Sequence, residues 1–176
     1  MSMPKRACAK LLVAAIVALL VGSGASAEAA GRHSAADEQW LKTSIEGDRF
    51  EIAGGAIAQQ KGNSPTVRAL GARLIADHTK SLKDATKVAR KLGVSVPGSP
   101  TPSEQWELQI VSTLSGPQFD HWYSALEVED HKQDITESKD EVSEGSSSQV
   151  IKLAKEDLPM LKEHLKLSMQ ALSVSA

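Results

Sequence analysis

The amino-acid sequence predicts an all-α protein: a four-helix bundle with one short extra helix. Three observations carry the prediction. Four long stretches repeat residues at steps of three and four, the spacing that gathers side chains on one face of a helix. Each is bounded by capping or breaking residues: Ser34, Ser64-Pro65, Gly93, Ser115-Gly116-Pro117 and Gly145. No stretch alternates with the period of two that a half-buried strand requires, and the loops are short except for a proline-rich crossover around residues 93–103.

Residues 1–27 read as a secretory signal peptide. Lys5, Arg6 and Lys10 make a basic start, an apolar run follows from Leu11 to Gly22, and Ala25-Ser26-Ala27 supplies small residues at cleavage spacing. The run is short for a bilayer-spanning helix. The one cysteine, Cys8, precedes it, which argues against a lipid anchor. Cleavage removes three of the 20 basic residues and none of the 22 acidic ones, so residues 28–176 carry a net charge of −5. That length suits one domain. Its acidic balance argues against nucleic acid or an anionic membrane as partner. Loss of Cys8 leaves no disulfide or thiol chemistry. The expected location is periplasmic or secreted, with no transmembrane segment after processing.

Residues 28–34 form a flexible lead, which includes His33, and the bundle covers 35–172. Ser34 caps the first helix, with Asp37 and Glu38 in its first turn, where the helix dipole favours acids. Leu41, Ile45, Ile52 and Ala56 form its apolar stripe. A strip of small residues runs beside it: Ser44, Gly47, Gly54, Gly55 and Ala58. Each glycine inside a helix costs about 1 kcal/mol relative to alanine. Close approach of a neighbouring helix would offset that cost and carry Glu51 inward. Gly62-Asn63 ends this helix, and Ser64-Pro65 starts the second, which runs to Leu92. A short helix covers about Glu104–Leu114. The fourth begins at Ser115-Gly116-Pro117 and ends near Glu144-Gly145. Ser146 to Ser148 cap the last, which runs to about Leu172, with Pro159 expected to kink it.

Three helices each aim a histidine at their inner face. His78 is central to the stripe Val67, Gly71, Leu74, Leu82, Ala85, Ala89 and Leu92. His164 is central to Val150, Leu153, Asp157, Met160, Leu167 and Ala171. His131 shares a face with Ser124, Glu127, Ile135, Ser138 and Val142, one turn from Glu127. Each follows an acid directly: Asp77, Asp130 and Glu163. Adjacent side chains diverge by about 100° on a helix, so Asp77 should face a flank or solvent and the dipeptide is not a unit. His121 belongs on the surface or rim. Trp40, Trp106, Trp122 and Tyr123 are expected in the core or at helix joints.

The stretches "FEIAGGAIAQQKGNSPTVRALGARLIADHTKSL", "FDHWYSALEVEDHKQDI" and "LPMLKEHLKL" resemble a bacterial ferritin-like domain family of unknown function, whose members often carry the label outer membrane protein. The likeness covers about residues 35–172. It implies a ferritin-like four-helix bundle and supplies no activity. A helical bundle cannot span a membrane as a barrel does, so the sequence does not support the label.

His78, His131 and His164, with Glu51, Glu127 or Asp157, could bind Zn, Fe, Mn or Cu. The alternative, favoured on the residues alone, is a structural polar cluster in which each histidine is held by a carboxylate or carbonyl. Di-iron bundles place a glutamate three residues before a ligand histidine. Here those positions hold Ile75, Val128 and Leu161, which argues against ferritin-type iron chemistry. No catalytic triad or phosphate loop is present, so a non-enzymatic structural or binding role in the cell envelope is expected, in a setting of stress tolerance. A redox or hydrolytic metalloenzyme is the competing class. An unidentified envelope partner and self-association are both compatible with this reading.

Overall fold

The computed structural model describes residues 33–175, so the signal peptide and most of the lead lie outside the described residues. Five helices follow in order: α1 Ala35–Lys61, α2 Pro65–Leu92, α3 Pro102–Thr113, α4 Gly116–Glu144 and α5 Ser148–Ser173. No strand occurs among the described residues. The helix starts follow the local chemistry. Ser34 and Asp37 form a reciprocal capping box on α1, with Asp37 N to Ser34 Oγ at 3.1 Å and Ser34 N to Asp37 Oδ2 at 2.5 Å. Ser64 caps α2 ahead of Pro65. Gly93 ends α2 with a left-handed φ of 76°. A second box, Thr101 with Glu104, starts α3 at Pro102, earlier than the expected Glu104, because Pro102 takes the first helical position. α5 runs through exposed Pro159 without ending.

α1 and α2 turn about residues 62–64 and pack along each other, as do α4 and α5 about residues 145–147. α2 also meets α5, and α1 meets α4, closing a four-helix bundle, with α3 laid against α1 and α4. Arg49 Nε donates to the Pro97 carbonyl (3.0 Å) and pins the crossover.

Two buried aspartates close the ends. Asp37 on α1 accepts from Ser146 N (2.9 Å) and Ser147 N (3.1 Å) at the start of α5. The side chain of Ser147 makes no capping bond, so an acid 110 residues away in sequence does the work expected of the serines. Burial pushes the Asp37 carboxyl up, but hydrogen bonds from Ser146, Ser34 and Ser147 outweigh it and hold it below the usual range. At the other end, Asp120 on α4 accepts from Asn63 N and Ser64 N, both at 2.7 Å.

The glycine strip does its expected work at one place. A Cβ on Gly55 would meet the Gly71 carbonyl oxygen at 2.7 Å, and one on Gly71 would meet the Gly55 oxygen at 2.6 Å. α1 and α2 therefore touch backbone to backbone there, and Glu51, one turn earlier, is fully buried. The expected stripe on α1 needs correction. Leu41 and Ile45 are buried, but Ile52 and Ala56 are half-exposed, and the buried face continues through Asp48, Glu51, Gly55 and Ala58. On α2, Leu82 is half-buried and Ser81 takes the inner place. Trp40 and Tyr123 lie in the core, whereas Trp106 and Trp122 are exposed, contrary to expectation.

The apolar core is split. One cluster gathers Leu41, Ile45, Ala85, Ala89, Val150 and Leu153. The other gathers Val67, Leu70, Leu74, Phe119, Tyr123 and Ala171. In α2 and α5 the histidines stand between residues of one cluster and residues of the other, so the middle of the bundle is a polar layer.

Candidate metal centre

His78, His131 and His164 converge in that layer, between 0% and 2% exposed. Their ring centroids are 5.1 Å apart for His78 and His164, 5.2 Å for His131 and His164, and 5.8 Å for His78 and His131. One ring nitrogen from each lies within 4.8 Å of the other two. His121 does not join them; it is half-buried on α4 with its ring against Trp122.

Each histidine is oriented from behind by an oxygen, on another helix for His78 and His164 and on its own helix for His131. His78 Nδ1 is 2.8 Å from Asp48 Oδ1 on α1. His164 Nε2 is 2.9 Å from Asp77 Oδ2 on α2. His131 Nδ1 donates to its own helix, to the Glu127 carbonyl at 2.8 Å. Asp77 turns to a flank, as expected, and that flank is occupied by the histidine of another helix. Arg73 holds Asp77 from the other side. Asp48 was not among the expected ligands or supports. Its signal in the sequence was position alone, an acid one turn after Ile45 on the stripe of Leu41.

The acceptors dictate where the lone pairs are. A carbonyl only accepts, so His131 Nδ1 carries the proton and Nε2 carries the lone pair. His131 Nε2 is buried and has no hydrogen-bond partner. If Asp48 and Asp77 are ionised, His78 Nε2 and His164 Nδ1 also present lone pairs, and these face each other at 3.2 Å. Two nitrogens on one tetrahedral ion, at about 2.05 Å each, stand about 3.3 Å apart. Burial holds all three imidazoles neutral, with His78 and His164 pushed down to about 4 and His131 to about 3. Neutral imidazole is the form that binds a metal.

Glu51 and Glu127 approach His131 from its Nδ1 side, at 3.7 and 3.8 Å. Both are fully buried and none of their four carboxylate oxygens has a hydrogen-bond partner. Burial and their mutual charge raise Glu51 well above the usual range, and burial raises Glu127 to about 8. They form a second potential ligand group with His131. A neutral imidazole has one lone pair, so His131 serves one group at a time, and the bond to the Glu127 carbonyl uses the Nδ1 that stands nearest the two glutamates. Asp157, expected as a further ligand, is half-buried and stands outside both groups.

Fold and site together define a helical bundle with a buried histidine layer backed by carboxylates. The chain belongs to the family described as Domain of unknown function (DUF4142), whose family model matches residues 22–171. That description assigns neither activity nor location, so the outer-membrane label gains no support. Among solved structures, the chain is similar to a DUF305 fragment from Deinococcus radiodurans, with a TM-score of 0.71 at 13% identity, over 80% of this chain and 97% of that one. A likeness at that identity speaks for the fold alone. No curated protein matches. No helix among the described residues is long and apolar enough to cross a membrane.

Proposed function

We propose that this chain is an exported metal-binding bundle that holds one late transition-metal ion, Zn²⁺ or Cu²⁺, on His78, His131 and His164. One observation carries the reading: His131 Nε2 is buried and partnerless in a cluster where one ring nitrogen from each of the three histidines lies within 4.8 Å of the other two. An unpartnered buried polar atom costs about 1–3 kcal/mol, and a cation shared by three lone pairs removes the deficit. Metal-bound histidines characteristically donate their second nitrogen to a carboxylate or carbonyl. Asp48, Asp77 and the Glu127 carbonyl fill that role. All-imidazole donors suit Zn²⁺ and Cu²⁺ better than Mn²⁺ or Fe²⁺.

A second reading has its own support. Burial raises Asp48 well above the usual carboxylate range. A protonated Asp48 would donate to His78, His78 to His164, and His164 to Asp77, a closed relay that needs no metal. It satisfies two histidines and leaves His131 Nε2 without a partner, which is why the metal reading is preferred.

The cavity that reaches His78 has a volume of about 30 Å³, room for a water-sized guest or two. That favours holding an ion over turning over a bulky substrate. Export rests on the basic start, apolar run and Ala-Ser-Ala motif, and mass spectrometry of the native chain should find Glu28 or a close neighbour at its start; a product retaining residues 1–27 overturns it. For the metal, titration calorimetry with Zn²⁺ should give one site per chain in the wild type and none in His131→Ala. Equal binding by both would overturn the site, and no binding by either would leave the proton relay.

A further inference from the structure

The cavity beside His78 has a chemistry that the three-histidine reading does not use. It is lined by Asp48, Asp134, Glu137 and Asp157, with Ser81 and His78 itself. Asp48 is 3% exposed and its Oδ2 has no hydrogen-bond partner. Ser81 and Asp157 also line a wider opening of about 200 Å³ toward the surface. The cations at that opening are already engaged: Arg73 with Asp77, and Lys80 with Asp84. Asp134, Glu137 and Asp157 make no salt bridge among the described residues.

We infer that this acidic cavity is the loading site for His78, His164 and His131: a hydrated divalent cation docks at the wider opening of about 200 Å³, sheds most of its shell there, and passes the inner carboxylates with a water or two before it reaches His78. The inference rests on the metal-site reading above. Spacing tells a loading site from a chelating one. No three of these carboxylates bring oxygens within 4.8 Å of one another. They therefore grip a bare ion poorly, and suit an ion that still carries water between itself and the protein. The next donor inward is His78, whose Nε2 faces away from Asp48 toward His164. The imidazoles displace the waters that remain, so the ion sheds its shell in steps, with no redox change. A second opening, near Glu107, Glu129 and Asp130, is larger at about 530 Å³, but none of its lining residues is one of the three histidines.

The test separates arrival from affinity, using Co²⁺ as a coloured probe and stopped-flow absorbance. In low salt at about pH 8, above the value of about 7 to which burial lifts Asp157, the triple variant Asp134→Asn, Glu137→Gln, Asp157→Asn should bind Co²⁺ about tenfold more slowly than the wild type, as expected for lost electrostatic focusing. The final band should match the wild type, which also shows that the variant folds. Added salt should slow the wild type toward the variant. The pair Glu107→Gln, Glu129→Gln at the other opening should bind at the wild-type rate. An unchanged rate in the triple variant, or slowing in the second pair instead, overturns the route while the metal site stands. Weakened equilibrium binding at an unchanged rate overturns it too, since the acids would then be ligands. A wild type that takes up no Co²⁺ overturns the metal site and the route together.

Discussion

Asp37 and Asp120, at opposite ends of the bundle, are as buried as Glu51 and Glu127 in its middle. Their oxygens are spent on backbone N–H groups: those of Ser34, Ser146 and Ser147 for Asp37, and of Asn63 and Ser64 for Asp120. The central pair has no such partners. The end acids are charges that the fold consumes, satisfying helix starts that would otherwise be left unbonded. The central acids are carboxyls that the fold buries without bonding them. Buried polarity of the first kind is architecture. The second kind is polarity whose desolvation only a proton or a cation offsets.

The contrast breaks most readily at Asp37. Asp37→Ala strips acceptors from both α1 and α5 and should cost about 3 kcal/mol, a fall in Tm on the order of 10 °C. Thermal unfolding within about 2 °C of wild type would erase the distinction. Next in size is the metal effect at the centre. Zn²⁺ at a hundred times its Kd should stabilise by about 2.7 kcal/mol. The gain should survive in Asp37→Ala and vanish in His131→Ala, read by calorimetric scans with and without chelator.

A smaller effect sharpens the comparison through pH. Glu127 is raised from 4.5 to about 8 in the fold. Its contribution is therefore complete below about pH 4.5 and is lost as pH rises through about 8. Glu127→Gln keeps the neutral form, so the metal-free variant should gain several degrees over wild type between pH 5 and pH 9. A difference that stays constant over that range would show that Glu127 does not hold a proton. The smallest effect is expected at Asp120→Asn, which keeps one accepting oxygen for Asn63 or Ser64 and should cost about 1 kcal/mol, read by denaturant unfolding.

Much of this was legible in the residues. Ser34 and Ser64-Pro65 marked helix starts because capping is chemistry within one turn. The three histidines stood out because polar residues interrupting a stripe have few explanations. Asp48 and the partner of Asp77 were not legible, since both depend on which helix lies across the bundle. The same limit hid the role of Asp37, whose bonds to Ser146 and Ser147 span more than a hundred residues. The inner faces of α1 and α4 carry Asp48, Glu51, Glu127 and His131, so an apolar stripe read along them drifts off the true face, as it did at Ile52 and Ala56. Trp106 and Trp122, expected in the core or at helix joints, stand exposed, and no local signal distinguishes them from buried Trp40.

The three histidines come from both halves of the chain: His78 from the α1–α2 hairpin, His131 and His164 from the α4–α5 hairpin. Each hairpin closes over a loop of a few residues, a local event with little entropy to lose, whereas their meeting is non-local and comes late. On the proposed metal reading, an ion on those side chains would therefore recognise only the assembled bundle. Its effect falls on escape from the native state and not on arrival at it. The unfolding limb of a chevron should drop in Zn²⁺ while the folding limb stays in place, making the centre a latch on lifetime.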